Sequence, residues 1–202
     1  LFISYMLCFF SEKRKCMKKK IYLVYISLSG NTESFVKRLK SFFQFQTDWE
    51  IELVHVKDLV KQDIPFYPLD APFVAFLPTY LEGGNGVDNG DVEILTNPLG
   101  DFIALGTNAE LCLGVVGSGN RNFNNQYCLT AKQYSERFNF PVIDTFELRG
   151  MQNDIERIGR KIIELMKWKQ SQITGLIFLS KKNSPALPVS FKGSIISVVG
   201  KS

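Results

Sequence analysis

Short apolar runs that end abruptly in polar, glycine-bearing turns constrain this chain more than any other feature of its sequence. The clearest is IYLVYIS, residues 21–27, which is followed at once by LSGNT. A strand buried on both faces has this composition, and such strands belong to parallel sheets. Similar runs occur at residues 71–77, 111–116 and 142–148. Residues 50–56 alternate apolar and polar side chains, which is typical of a more exposed strand.

Amphipathic segments lie between several of these runs. Residues 31–43 place apolar side chains at Phe35, Val36, Leu39, Phe42 and Phe43, the spacing of a helix with one buried face. Residues 127–138 and 152–167 predict two further helices. Mostly alternating strands and helices are typical of an α/β fold. We therefore expect a doubly wound, five-stranded parallel sheet with helices on both faces.

The same pattern sets the expected domain limits. Residues 17–169 of the 202 carry it, and they are enough for one domain with its own core. We expect residues 1–16 to be an N-terminal extension outside the fold, or else a short ordered addition to it. Residues 170–202 do not continue the pattern, so we expect an atypical tail that is partly disordered or loosely docked.

Charge, cysteine spacing and hydropathy argue against several classes of protein. The net charge is +4, but residues 1–16 contribute +2 and residues 170–202 contribute +4, so the segment between them carries −2. That segment offers no basic footprint for nucleic acid. The four cysteines lack C-x-x-C spacing and suit reduced thiols, and the longest apolar candidate, ten residues, is too short to span a membrane. We expect a cytoplasmic protein without nucleic-acid or membrane partners.

Three strand ends carry polar loops, at residues 27–32, 78–90 and 117–123, and ligands of doubly wound sheets bind at this edge. In the first loop, SLSGNT, Gly30 can adopt a positive φ, and Asn31 or Thr32 can cap the next helix. Hydroxyl groups and free helix N–H groups would hold a phosphate monoester without a cation. The alternative is a polar turn with a good N-cap. Neither a P-loop nor a dinucleotide-binding motif occurs here.

The other two loops offer flat faces and flexible backbone. In PTYLEGGNGVDNGD, Tyr80 can contact a ring and the glycines allow the backbone to approach it closely. The alternative is a disordered surface loop with no ligand, which would have a similar composition. GSGNRNF supplies backbone and amide donors with Phe123 as a second aromatic face. Its alternative is a strand-to-helix turn that Asn122 caps. Together the loops suit a ligand with a phosphate at one end and a heteroaromatic ring at the other, as in FMN.

Four segments, SLSGNT, FLPTYLEGG, GSGNRNFNNQY and FELRGMQNDIE, together resemble the NrdI family of flavodoxin-like flavoproteins. The resemblance covers about residues 18–167. It implies a flavodoxin-like three-layer sandwich with strand order 2-1-3-4-5 and non-covalent FMN. It also implies an accessory role beside class Ib ribonucleotide reductase. There the reduced flavin would convert oxygen to superoxide or peroxide, the oxidant for assembling the dimanganese-tyrosyl radical cofactor of the radical-bearing small subunit.

The resemblance also implies which residues contact FMN. The phosphate would be held by Ser27, Ser29, Gly30, Asn31 and Thr32. The ring would be contacted on one side by Thr79, Tyr80, Gly83 and Gly84, and on the other by Ser118, Gly119, Asn120, Asn122 and Phe123. Glu147 and Leu148 would lie beside the pocket. No side chain is assigned to catalysis or metal binding, because the cofactor carries the chemistry and the single histidine, His55, argues against a histidine-based metal site or triad.

Other functions share this fold and cofactor. A flavodoxin-type electron carrier would pass single electrons to several partners, but the weakly acidic segment between residues 17 and 169 argues against it. An NAD(P)H-dependent flavin or quinone reductase would oxidise nicotinamide directly. A flavin-free binding module would stay colourless when FMN is added. For the accessory role, an electron donor is also required, either a flavodoxin reductase-like protein or another reductant.

Overall fold

A computed structural model of the chain describes residues 19–82 and 90–182. The chain divides into two compact units, Leu1–Met166 and Lys167–Ser202. The sheet and the loops of interest belong to the first unit. The predicted extension at residues 1–16 lies outside the described residues, and the division of the chain at residues 17 and 169 stays a prediction.

Five strands form one sheet in which every neighbouring pair is parallel. The strand order is β2-β1-β3-β4-β5, which confirms the predicted order 2-1-3-4-5. Because all five strands run in the same direction, their carboxyl ends meet at one edge of the sheet. The strands are β1 (Lys20–Tyr25), β2 (Glu50–His55), β3 (Phe73–Pro78), β4 (Cys112–Gly119) and β5 (Val142–Glu147).

Helices connect the strands, and a short 3-10 helix, Arg121–Gln126, follows β4. Each crossover between parallel strands needs a connection long enough to return to the other end of the sheet. The α-helices are α1 (Asn31–Gln46), α2 (Val56–Lys61), α3 (Asn97–Ala104), α4 (Asn108–Leu111), α5 (Leu129–Phe138) and α6 (Gln152–Lys182).

Side chains on β1 alternate between two hydrophobic cores, one on each face of the sheet. Ile21 and Leu23 pack into a core that includes residues of α1 and of α6 up to Met166. Tyr22 and Val24 pack into the other core, with residues of α3 and α5. A strand buried on both faces has this alternation, so the continuous apolar run is explained by two cores and the fold is a three-layer α/β sandwich.

The elements differ from the sequence predictions in three respects. Helices α2, α3 and α4 were not predicted, and β4 continues through Gly117–Gly119, which were expected to be loop. Helix α6 continues to Lys182, beyond its predicted end at Lys167. In residues 19–82 and 90–182, no helix has both the length and the apolar character needed to cross a bilayer.

Candidate functional site

A pocket opens at the carboxyl edge of the sheet, between the segments that follow β1, β3 and β4. Its volume is about 220 Å³, several times the roughly 30 Å³ that one water molecule occupies in the liquid. It can therefore take part of an organic molecule. Ten predicted site residues line it: Ser29, Asn31, Thr32, Thr79, Tyr80, Ser118, Gly119, Asn120, Phe123 and Leu148. Leu28, Pro78, Leu81 and Gln126 also line it and were not predicted.

The first loop turns sharply from β1 into helix α1. Gly30 is the N-cap residue, with φ of 81°, and it provides no side chain for capping. Buried Ser27 takes over that role, because its Oγ accepts a hydrogen bond of 3.2 Å from the Glu33 N–H. The expectation that Asn31 or Thr32 caps the helix is wrong, since both residues already lie inside it. Their N–H groups belong to the first turn, which has no partners within the helix, so they can receive an anion.

A buried contact between two hydroxyl groups connects the first loop to β4. Thr32 Oγ1 lies 3.2 Å from Ser118 Oγ, and both residues are almost completely buried. The Ser118 carbonyl also accepts a 2.9 Å hydrogen bond from the Thr79 N–H. The three loops are thus joined through Ser118, at the centre of the pocket wall.

The Thr79 hydroxyl is buried beside the pocket without a hydrogen-bond partner among residues 19–82 and 90–182. A buried hydroxyl normally has such a partner, and leaving it unmade costs free energy. Because Thr79 also lines the pocket, a polar group of a ligand is a natural partner for it. The pocket wall therefore suits a ligand with hydrogen-bonding groups.

Backbone hydrogen bonds join the start of the second loop to its end. Glu82 N–H donates to the Val92 carbonyl at 3.0 Å, and Ile94 N–H donates to the Tyr80 carbonyl at 2.9 Å. Tyr80 is therefore held by its own backbone at the pocket. The predicted ring contacts Gly83 and Gly84 lie outside the described residues.

Hydrogen bonds hold the final part of this loop, residues 91–93, to helix α5. Gln133 Nε2 donates to the Asp91 carbonyl at 2.6 Å, and Tyr134 Oη donates to Glu93 Oε1 at 2.7 Å. Burial raises the pKa of Tyr134, and the nearby Glu93 carboxylate raises it further. The phenol therefore stays protonated and remains a donor. Gln126 Nε2, in the 3-10 helix, donates to the Gly90 carbonyl at 3.2 Å. These contacts fix the base of the loop.

The third loop begins inside the sheet. Gly117 is required there because a Cβ would lie 2.8 Å from the Ala131 Cβ of helix α5. Beyond the strand, the Asn120 side chain accepts a 3.0 Å hydrogen bond from the Asn122 N–H, and Asn122 does not line the pocket. Phe123 does line it, with 39% of its surface exposed, so part of its ring is accessible at the pocket.

The turn after β5 completes the pocket. Leu148 lines it, adopts a positive φ of 50°, and its N–H donates to the Gly119 carbonyl at 2.9 Å. Predicted residue Glu147 is directed elsewhere, because its carboxylate accepts from the Arg121 N–H at 3.3 Å and lies 3.7 Å from Arg121 Nε. Behind Gly119, burial raises the pKa of the Cys128 thiol to about 12. This thiol therefore stays protonated and is not a nucleophile at neutral pH.

The same turn brings a cation to the first loop, which contains none of its own. Arg149 Nε donates to Asn31 Oδ1 at 2.9 Å. Arg38, on helix α1, holds the turn from its other side through the carbonyl oxygens of Arg149 and Gly150. Sequence reasoning missed Arg149, although it lies within the FELRGM motif. Its contact with Asn31 spans 118 positions and is visible only in the fold.

The predicted residues thus fall into three groups. The ten that line the pocket are brought together by the fold. Ser27, Gly30, Asn122 and Glu147 lie next to it and shape or support its loops. Gly83 and Gly84 lie outside the described residues. A pocket with helix N–H groups and hydroxyls at one end, and with Tyr80 and Phe123 in its wall, suits a phosphorylated ligand with a flat ring.

Comparisons with known proteins agree with this reading. A family model described as NrdI Flavodoxin like matches residues 23–160, which include every predicted site residue. An NrdI-like protein of Streptococcus pneumoniae serotype 4 (strain ATCC BAA-334 / TIGR4) is 68% identical over 148 residues, which cover 73% of this chain and 95% of that protein. Protein NrdI of Mycoplasma genitalium (strain ATCC 33530 / DSM 19775 / NCTC 10195 / G37) is 31% identical over 153 residues, covering 76% and 88%.

Among solved structures, the fold is similar to that of a short-chain flavodoxin associated with a non-canonical PDU bacterial microcompartment. The TM-score is 0.55 at 17% sequence identity, and the match covers 74% of this chain and 97% of the flavodoxin. At this identity the likeness concerns the fold alone, and it agrees with the strand order of the sheet.

Proposed function

Because the chain belongs to the NrdI flavodoxin-like family, we propose that it binds FMN and supplies a reduced-oxygen oxidant to the small subunit of class Ib ribonucleotide reductase. Membership of this family implies a flavin-binding redox accessory role and an association with ribonucleotide reductase. The proposal goes further than the family in naming FMN as the flavin, superoxide or peroxide as the oxidant, and the radical-bearing small subunit as the partner. A cytoplasmic location, with the reduced thiols that the cysteine pattern predicts, belongs to it as well.

The observation that carries the proposal is the convergence of three loops on Ser118. Its hydroxyl contacts Thr32 in the first turn of α1, and its carbonyl accepts from Thr79, whose own side chain is unpartnered among the described residues. A helix N-terminus therefore lies on the same pocket as a hydroxyl group in need of a partner and an aromatic side chain, Tyr80. FMN combines a phosphate, a polyhydroxyl chain and a ring in one molecule, and such a pocket suits all three.

In this proposal each part of the wall has a task toward FMN. The N–H groups of Asn31 and Thr32 and the hydroxyl of Ser29 would bind the phosphate, with Arg149 nearby to offset its charge. Tyr80 and Phe123 would contact the ring and keep water from its faces. When bound, the flavin supplies the redox chemistry by accepting electrons from a donor protein and passing them to oxygen.

The exposed apolar side chains around the pocket suit a protein partner. Phe123 and Leu148, which line the pocket, are 39% and 49% exposed, and Met151, three residues after Leu148 in the chain, is 76% exposed. Interfaces commonly contain such aromatic and methionine side chains at their centre. We propose that the radical-bearing small subunit docks here, and that a flavodoxin reductase-like protein or another reductant supplies the electrons.

The test of this function is a reconstitution of the radical. The FMN-loaded chain is reduced without oxygen and mixed with the Mn²⁺-loaded small subunit of a class Ib ribonucleotide reductase. Oxygen is then added, and the tyrosyl radical is counted by electron paramagnetic resonance. The proposal predicts radical formation that requires the reduced, FMN-loaded chain. An equal radical yield with free reduced FMN, or no radical with the loaded chain, would contradict it. Rapid oxidation of NADPH by the loaded chain alone would favour a nicotinamide-dependent reductase.

A further inference from the structure

The only histidine of the chain lies directly behind the first loop. His55 is the last residue of β2, and its side chain is 11% exposed. Ser27 follows the neighbouring strand β1 two residues after its end, and its backbone nitrogen lies 3.2 Å from His55 Nε2. The ring also has a polar neighbour at each of its two nitrogens, so the role of His55 is not confined to packing.

The two neighbours of the ring define its protonation state. A backbone N–H can only donate, so His55 Nε2 must accept and carry no proton. The ring proton of the neutral imidazole then lies on Nδ1, where it donates to Asp58 Oδ2 at 2.8 Å. The observed geometry therefore requires a neutral His55 in one tautomer.

The plane of the ring is also held. Tyr25 stacks on it with ring centroids 4.6 Å apart and an interplanar angle of 4°. Burial raises the pKa of Tyr25 to about 12, and the carboxylates of Glu33 and Asp58 contribute to this rise. Tyr25 is thus uncharged at neutral pH. Two titratable groups contact the imidazole: Asp58 in α2, which pairs with Nδ1, and Tyr25 at the end of β1, which stacks on the ring. Glu33 in α1 acts electrostatically on Tyr25.

Ser27 transmits the position of His55 to the loop. Its N–H is held by His55, while its Oγ accepts from the Glu33 N–H in the first turn of α1. Because the N-cap residue Gly30 has no side chain, Ser27 provides the side-chain cap of this helix. A movement of Ser27 would displace the helix cap. It would also displace the backbone of residues 28–30, which connects Ser27 to the first turn of α1 and its N–H groups.

We propose that His55 is a positioning residue that holds the first loop in its anion-binding form only while the imidazole is neutral. Protonation at Nε2 would bring two donors face to face, His55 Nε2–H and the Ser27 N–H, and one of the groups would have to move. The inference rests on the proposed function, because it assumes that a phosphate monoester binds at this loop. It predicts that affinity for FMN is high above the titration of His55 and falls as pH decreases through it.

Electrostatics alone predicts the opposite sign. An imidazolium close to the loop would attract the phosphate and strengthen its binding at low pH. Asp58 lies 2.8 Å from the ring and offsets most of that added charge, whereas nothing in the geometry replaces the acceptor that the Ser27 N–H would lose. We therefore expect the loss of the acceptor to dominate, with about tenfold weaker binding, as for the loss of one well-formed hydrogen bond.

Two amide variants test the contributions of the two ring nitrogens separately. In His55→Gln the amide oxygen reaches the place of Nε2 and can still accept from Ser27. In His55→Asn the shorter side chain reaches only the place of Nδ1 and Asp58. Neither amide titrates, and both variants lose the stack on Tyr25. The two side chains differ by one methylene group, so riboflavin serves as the control for packing: a packing defect would weaken binding of riboflavin as well as of FMN.

The experiment measures dissociation constants for FMN and for riboflavin, which lacks the phosphate, between about pH 5.5 and about pH 8.5, a range in which histidine side chains generally change charge. At pH 8 we expect FMN to bind His55→Gln within about threefold of the unaltered chain and His55→Asn about tenfold more weakly. Both variants should show only the pH dependence that protonation of the FMN phosphate causes. Riboflavin should bind all three proteins alike.

Two outcomes would overturn the inference. Equal FMN affinities of the two variants would show that the acceptor at Nε2 does not matter. An unaltered chain whose pH dependence matches that of His55→Gln would show that the titration does not matter. Failure of the proposed function is distinguishable from both, because the unaltered chain would then not bind FMN at any pH.

A second measurement needs no variant, and it settles the question if either variant does not fold. Because the sequence has one histidine, the proton resonance of its ring carbon is unambiguous in the untagged chain. Linkage requires that a ligand which binds the neutral form better shifts the titration midpoint of that resonance to lower pH. We expect this shift when FMN is added. An unchanged midpoint, or one moved to higher pH, would overturn the inference.

Discussion

Thr32 Oγ1 and Ser118 Oγ lie 3.2 Å apart in a buried contact between residues that are 86 positions apart in the sequence. One residue belongs to the first turn of α1 and the other to the end of β4. The contact joins the first loop to the pocket wall at the end of β4. Both residues are almost completely buried, so water is a poor substitute for either hydroxyl if the other is removed.

A double-mutant cycle on this pair measures its contribution. Thr32→Val and Ser118→Ala should each lower the free energy of unfolding by about 1–2 kcal/mol, because each leaves the other hydroxyl buried with a lost partner. The double variant should be more stable than the sum of the single changes predicts, by about 1 kcal/mol. Urea unfolding of the flavin-free chain checks this, and strictly additive effects would show that the contact contributes nothing.

The hydroxyl of Thr79 gives a prediction that separates binding from stability. Replacement by valine removes a buried, unpartnered oxygen, so the flavin-free chain should keep its stability or gain about 1 kcal/mol. Affinity for FMN should fall about fivefold, because the ligand loses a hydrogen bond. Both quantities are measured on one preparation, by urea unfolding and by fluorescence titration.

Thr130→Val is the matched control. The Thr130 hydroxyl is also buried and unpartnered among the described residues, but Thr130 does not line the pocket. Its replacement should have a similar effect on stability and none on FMN affinity. If both valine variants bind FMN as the unaltered chain does, Thr79 has no role toward the ligand.

Arg149 should distinguish FMN from riboflavin. Its guanidinium is held at the first loop by Asn31, so Arg149→Gln should weaken FMN binding about three- to tenfold, as expected for a partly exposed cation near a phosphate. Riboflavin binding should not change, and the dependence of FMN affinity on salt should become shallower. Isothermal titration at two salt concentrations measures all three effects.

Arg121→Gln is the corresponding control, because Arg121 is an exposed arginine beside the same pocket that pairs with Glu147. It should bind FMN nearly as the unaltered chain does. Equal losses in the two variants would point to a general effect of net charge instead of a contact near the phosphate.

The lowered pKa of Asp144 should make the free energy of unfolding depend on pH. Burial raises its pKa, but hydrogen bonds from Arg157 and Lys161 outweigh this and hold the pKa below the ordinary value of 3.8. A carboxyl group with a lowered folded-state pKa stabilises the fold above its unfolded value, and that stability is lost as pH falls through the folded value. Asp144→Asn should therefore lower the free energy of unfolding at pH 7 by about 1–3 kcal/mol. The difference from the unaltered chain should shrink below about pH 4, and a difference that stays constant down to pH 2 would contradict this reading.

The sequence predicted the strands more completely than the helices. Strands β1 and β3 are buried on both faces, so their composition alone identifies them. Helices α2 and α3 have only six and eight residues, too short for a clear periodicity. Helix α3 also contains Gly100, which has a low helix propensity but is needed where a Cβ would lie 3.0 Å from the Tyr134 hydroxyl. Tertiary packing overrides the local signal there.

The site shows the same division between local and long-range information. Residues of the pocket that belong to contiguous motifs, such as Ser29 to Thr32 and Ser118 to Asn120, could be predicted because the motifs mark them. Leu28 and Gln126 lie inside or beside those motifs but have no chemical signal of their own. The contacts of His55 with Ser27 and of Arg149 with Asn31 join distant segments, so only the folded chain reveals them.

Titration of the purified, untagged chain with FMN, followed by visible absorbance and by quenching of flavin fluorescence, tests directly whether the pocket binds flavin. We expect one FMN per chain, released on denaturation, and much weaker binding of riboflavin, because the first loop and Arg149 would recognise the phosphate. A chain that shows no flavin absorbance and does not quench added FMN would contradict the central claim that these three loops form a flavin site.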